Sequence, residues 1–175
     1  FDEEQKVRNF AYYEPITVRD SSLSAAIQAI IAAETGHVEL AYDYLGETAL
    51  IDLHNLAGNT FDGIHLASAA GTWLAIVAGF GGMRDYEGRL SFAPRLPAAI
   101  RRLAFRLTVR GTRLRVEVKP GEATYTIEEG DGLEIAHEGE TFTVRADKPE
   151  TRPLTPPPVR EPPTQPPGRA PRRRA

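Results

Sequence analysis

The 175-residue chain contains no cysteine, which excludes a disulfide framework, a thiolate metal site and a cysteine nucleophile. Histidine is scarce. His37, His54, His65 and His137 include no pair at metal-ligand spacing, so a zinc site is not expected. No apolar run approaches the roughly 20 residues needed to cross a bilayer, and no signal peptide is visible. Membrane partners are therefore not expected, and the cytoplasm is the expected location. With 41% hydrophobic residues, the chain can still bury a core of one medium domain or two small ones.

Charge is unevenly placed. Residues 151–175 hold six Arg and one Glu within a formal net charge of −3, so the remainder is strongly acidic and unsuited to a broad nucleic-acid surface. The basic stretch is also rich in proline: "RPLTPPPVREPPTQPPGRAPRRRA". It has no periodic apolar face, and residues 148–175 read as a disordered or polyproline-II tail. Removing it is expected to leave the fold intact. Its final "RRRA" could touch acidic partners, although a solvated tail is the plainer reading.

The first half reads as helical. Leu23, Ile27, Ile30 and Ile31 share one helical face, and Gly36 supplies a left-handed stop. Val38, Ala41, Leu45 and Ala49 form a second stripe, weakened by Gly46. Leu66, Ala69, Ala70, Trp73, Leu74 and Val77 form a third, which puts Trp73 in the core. "GFGGMRD" lacks the Gly-Lys-Ser/Thr of a phosphate loop and reads as a linker. From Leu90 the period becomes two. Leu103, Phe105, Leu107 and Val109 alternate with Arg102, Arg106 and Arg110, and further strands follow with turns at Gly111, Gly132 and Gly139. Helices then an antiparallel sheet is an α+β pattern.

One stretch carries more hydrogen-bonding groups than a helix start requires. In "RDSSLSAAIQ", Asp20, Ser21 or Ser22 can cap the helix. Arg19, the second serine and Ser24 are then unexplained. A helix N-terminus furnished with hydroxyls is also an anion site. His65 opens the third helix behind "NTFDG", and if the two helix starts met they would frame a phosphate-sized pocket. Periodicity leaves both readings open.

"YYEPITVRDSSLS" with "NTFDGIHLASAAGTWLAIVAGFGGMR" resembles the C-terminal end of glycoside hydrolase family 65, which includes maltose, trehalose and kojibiose phosphorylases. The resemblance implies the terminal helices of an (α/α)6 barrel in residues 1–87, a small sandwich-like antiparallel β domain in 88–147, and the tail outside both. It implies phosphate binding by Ser21, Ser22 and His65, with Arg19 where relatives often carry His. It implies an inverting phosphorolysis of an α-linked glucose disaccharide to β-glucose 1-phosphate, with inorganic phosphate as co-substrate and no cofactor. A homodimer is allowed. The catalytic acid, a Glu, is expected upstream of this chain, which then reads as a C-terminal fragment that is inactive alone. A hydrolase of the same family would instead need a carboxylate base, and Glu14 and Asp20 are the nearby candidates. A non-catalytic structural or binding fragment is the third reading.

Overall fold

A computed structural model describes residues 1–165 and 167–171. The last four residues, which include the three arginines of "RRRA", lie outside the described part. The chain divides into two compact units. Residues 1–79 and the segment from Pro158 onward form the first, and Phe80–Pro157 form the second.

The first unit is helical. α1 (Glu3–Tyr13) begins with a reciprocal cap in which Gln5 N–H donates to Asp2 Oδ1 and Asp2 N–H donates to Gln5 Oε1. α2 (Ser24–Glu34) and α3 (Val38–Leu50) are joined at Gly36, whose φ of +92° requires glycine. Gly46 does not break α3. α4 (Leu66–Leu74) runs into a π-helical turn at Ala75–Phe80.

The buried faces of these helices are not the ones with the largest apolar residues. α2 buries Ala25, Ala26, Gln28, Ala29, Ala32 and Ala33, while Leu23, Ile27 and Ile31 remain exposed. In α4, Ser68 and Gly71 are buried, whereas Leu66, Trp73 and Leu74 are exposed. Trp73 is 47% exposed, so its expected place in the core is corrected. Small residues bring α2 and α4 together: a Cβ on Gly71 would stand 2.7 Å from Ala26 Cβ. Bulky side chains cannot occupy so close a contact, and they lie on the opposite faces.

The second unit is a two-sheet sandwich. One sheet has the order β1 (Arg84–Tyr86), β2 (Arg89–Phe92), β6 (Gly132–His137), β7 (Glu140–Arg145). The other has β3 (Leu103–Val109), β4 (Thr112–Lys119), β5 (Glu122–Glu129), β8 (Glu150–Pro153). All pairings are antiparallel except β2 with β6. The core between the sheets holds Phe92, Leu114, Val116, Tyr125, Ile135 and Val144. Arg110-Gly111 and Glu138-Gly139 both have positive φ, the geometry of tight hairpins that follow the strand twist.

Two expected boundaries move. The β unit starts at Phe80 rather than 88, because Gly82 belongs to it. Gly82 has φ +62°, and a Cβ there would lie 2.1 Å from the Ala93 carbonyl oxygen. Gly82 is thus a close backbone approach within the β unit rather than part of a plain linker. At the other end, the expectation of a disordered tail from 148 fails. Residues 150–153 form β8 on the edge of β5, and His137 Nε2 lies 3.0 Å from the Pro153 carbonyl, which accepts its proton. On its other side His137 Nδ1 pairs with Tyr125 Oη at 2.7 Å. A short edge strand ending in proline needs few ladder bonds, so proline-rich composition did not preclude it. Further on, Arg160 pairs with Glu3, and the Gln165 amide donates to Glu14 and to Tyr44 Oη.

Candidate functional site

Of the two serines before α2, only Ser21 bonds a backbone amide among the described residues. The N-cap position is Leu23, whose side chain makes no cap hydrogen bond. Ser21 Oγ accepts the Leu23 amide at 3.2 Å, and the Ser21 carbonyl accepts Ser24 N–H. Both bonds shape the loop before the helix. Ser22 Oγ makes no hydrogen bond among the described residues, and its carbonyl accepts Ser68 Oγ at 2.9 Å. Ser21 thus bonds the entry to α2 as a capping residue does, as expected for one of Asp20, Ser21 and Ser22, while Ser22 Oγ takes no part in it.

Ser68, fully buried in the first turns of α4, thus ties the start of α4 to the loop that opens α2. This junction rests on the Gly71–Ala26 approach, which only small residues permit. Periodicity could not show that the two helix starts meet. The structure joins them.

His65 occupies the N-cap position of α4. Its backbone N–H donates to Asp52 Oδ2 at 2.8 Å, and its Nδ1 stands 2.5 Å from Asp52 Oδ1. The hydrogen bond from the His65 ring, reinforced by that from its amide, holds the Asp52 carboxyl below the usual carboxylate range. An ionised Asp52 fixes the ring and directs Nδ1–H to itself, leaving Nε2 for another partner. Asp52 was missed from the sequence, because its position 13 residues before His65 matches no local spacing rule.

A cavity of about 570 Å³ opens beside the α2 start, with Arg19, Asp20, Ser21, Ser22, Glu47 and Arg169 in its wall. His65 does not line it. The structure thus brings Ser21 and Ser22 to one cavity and joins the His65 helix to their loop, while the imidazole stands outside that cavity.

Behind it lies a buried polar network. Glu14, 4% exposed, accepts from Tyr44 Oη, from Gln28 Nε2 at 3.1 Å and from Gln165 Nε2 at 2.7 Å. Burial, followed by the bond to Glu14, pushes the Tyr44 hydroxyl well above its ordinary pKa. The Arg19 guanidinium lies 5.1 Å from the centre of the Tyr44 ring and 3.2 Å from Glu47. Of the two carboxylates considered as a hydrolytic base, Glu14 is buried and occupied by three donors. Asp20 is exposed and lines the cavity.

The described residues form helices followed by a small two-sheet domain, with a hydroxyl-furnished helix start beside a cavity. Residues 1–74 match the glycosyl hydrolase family 65 central catalytic domain, and residues 83–144 match the glycosyl hydrolase family 65, C-terminal domain. The chain belongs to glycosyl hydrolase family 65. It is 54% identical to an uncharacterized glycosyl hydrolase of Mycobacterium leprae over 165 residues, covering 90% of this chain and 21% of that protein. It is 44% identical to an α,α-trehalose phosphorylase of Thermoanaerobacter brockii over 135 residues, 77% of this chain and 17% of that one. A solved human-microbiome protein provisionally named kojibiose phosphorylase matches with a TM-score of 0.81 at 30% identity, over 87% of this chain and 21% of that chain. The chain thus spans about a fifth of the length of these relatives.

Proposed function

We propose that this chain carries the phosphate half-site of an inverting α-glucoside phosphorylase. Phosphate attacks the anomeric carbon of an α-linked glucose disaccharide while an acid on the opposite side protonates the departing oxygen, which yields β-glucose 1-phosphate. Phosphate is already anionic near neutral pH. It needs orientation and charge stabilisation rather than a base. The Ser21 and Ser22 hydroxyls in the cavity wall are donors of the required kind, and His65, held by Asp52, is carried on the helix that Ser68 ties to their loop. The proton donor would come from the part of the catalytic domain that this chain does not span.

The observation that carries this reading is the Ser22 hydroxyl, which lines the cavity at the start of α2 and bonds nothing among the described residues. Two adjacent serines stand before the helix: Ser21 Oγ accepts the Leu23 amide, while Ser22 Oγ bonds nothing among the described residues, so the Ser22 hydroxyl is not consumed by capping. The outward apolar faces support the wider placement. Leu23, Ile27 and Ile31 border a groove of about 960 Å³ with Tyr13 and Phe10, a surface that the remaining helices of an (α/α)6 barrel would cover.

In the full-length enzyme, Ser21→Ala, Ser22→Ala and His65→Ala should each raise the KM for phosphate while disaccharide binding changes little. Unchanged phosphate kinetics in all three would sink the reading. Hydrolysis is the second reading, favoured by Asp20 in the cavity wall. Release of glucose rather than glucose 1-phosphate in phosphate buffer would select it.

A further inference from the structure

The sheet that holds β2 and β6 is open at one end. β2 pairs with β1 from Arg89 onward, and β6 pairs with β7 from Gly132 onward. Between β2 and β6, however, the parallel register covers only Ser91↔Ala136 and Phe92↔His137. Ahead of those residues the two strands part. The gap is a cleft of about 720 Å³, with Arg89, Leu90 and Ser91 on one lip and Leu133, Glu134 and Ile135 on the other. That volume is within the range of about 300–1,000 Å³ typical of small-ligand sites.

The lining is mixed in character. Leu90 and Ile135 are buried, while Tyr86, which also lines the cleft, is 65% exposed. The charged groups in the wall are Glu87, Arg89, Arg110 and Glu134, two of each sign. Such a wall has no net charge to attract an ion, yet it presents both donors and acceptors. This combination suits a neutral oligosaccharide. A sugar hydroxyl both donates and accepts, so it can pair with a carboxylate or with a guanidinium. The C–H faces of a pyranose ring pack on an aromatic face and on aliphatic side chains. One lip is also fixed in advance. Arg110, in the β3–β4 hairpin at φ +50°, donates from Nη2 to the Gly88 carbonyl at 3.0 Å. The bond ties the β1–β2 turn to the other sheet of the same unit, so little of the cleft has to be ordered on binding.

We propose that this cleft of the β unit is a binding site for a neutral oligosaccharide. Tyr86 is the stacking platform, and Arg89 and Glu134, on opposite lips, bond the hydroxyls. The site lies in the unit that contains neither the serines nor His65, and it does not depend on the phosphate reading.

The test is calorimetric titration of the 175-residue chain with maltotetraose and, in a second arm, with cellotetraose. The two arms separate α-linked from β-linked glucose as the source of the ligand, and saturable binding of at least one is expected. Tyr86→Ala and Glu134→Ala should each weaken it at least about tenfold. Tyr12→Ala, which removes a comparably exposed tyrosine from the helical unit, should leave it unchanged. Circular dichroism and melting curves check that each variant folds. If Tyr86→Ala does not fold, Arg89→Ala takes its place, with the same expected loss. Unchanged affinity in both cleft variants would overturn the proposal, and so would an equal loss in Tyr12→Ala. Absence of saturable binding of either sugar by the unaltered chain at tens of millimolar would overturn it as well.

Discussion

Gly71→Ala tests the junction on which the candidate site is built. A Cβ at Gly71 would lie 2.7 Å from Ala26 Cβ, about 1 Å inside ordinary carbon–carbon contact. α4 would have to move away from α2 by a comparable distance, or α2 would have to deform. Overpacking of this kind costs about 1–3 kcal/mol, while replacing glycine by alanine inside a helix returns about 1 kcal/mol. The expected net loss of stability is about 0–2 kcal/mol, small enough for the chain to fold. The larger effect falls on the site, because the displacement breaks the 2.9 Å bond from Ser68 to the Ser22 carbonyl. Phosphate affinity, read by calorimetry beside thermal melts, should fall more than stability does. Adding Ala26→Gly should restore the space and recover affinity, giving a positive coupling in the double-mutant cycle. A Gly71→Ala chain that is more stable by about 1 kcal/mol and binds phosphate as before would refute the close approach of α2 and α4.

Gly82→Ala should destabilise the β unit by about 3 kcal/mol or more in a melt, since it adds a Cβ 2.1 Å from the Ala93 oxygen at a φ of +62°. Glu117 is held down to about pKa 2, first by its bond from Arg102 and then by that from Arg115. Its folded pKa lies below its unfolded value of about 4.5, so its contribution is present above pH 4.5 and fades as pH falls toward 2. Glu117→Gln should lower stability at neutral pH and flatten the acid side of the stability–pH curve over that window. Truncation after Lys148 should lower the melting temperature of the β unit by roughly 5–15 °C. It removes β8 and leaves buried His137 Nε2 without the Pro153 acceptor. The 175-residue chain incubated alone with phosphate and maltose, trehalose or kojibiose should release no glucose 1-phosphate by enzymatic assay.

The order of helices and then strands was legible, because the change of apolar period from about 3.6 to 2 is strong between Val77 and Leu103. Hairpin turns at Gly111 and Gly139 were legible for the same local reason: a two-residue turn of positive φ needs such residues. The buried faces were not. Amphipathic reading ranks large apolar residues first, and here alanine, serine and glycine make the contacts while Ile27, Leu66 and Trp73 face outward. α1 was missed although Asp2 and Gln5 carry its capping signature. β8 was hidden by prolines on both sides. In the site, Ser21, Ser22 and His65 stood out by chemistry and by family resemblance. Asp52, Ser68 and the inward Arg19 emerge only from tertiary contacts, since each meets a partner at least 13 residues away.

β8 also bears on how the protein behaves in a crowded solution. It occupies the open edge of β5, whose "EATYTIEE" run is rich in β-branched and aromatic residues and well suited to pair with another copy of itself. Its exposed positions are Thr151 and Pro153, after which three further prolines follow within five residues. Proline cannot donate to a new ladder. β8 is therefore the strand that closes a self-associating edge with a surface that no further strand can readily extend. Chains that lose it, by nicking or by incomplete synthesis, should leave solution as aggregates before they lose their secondary structure.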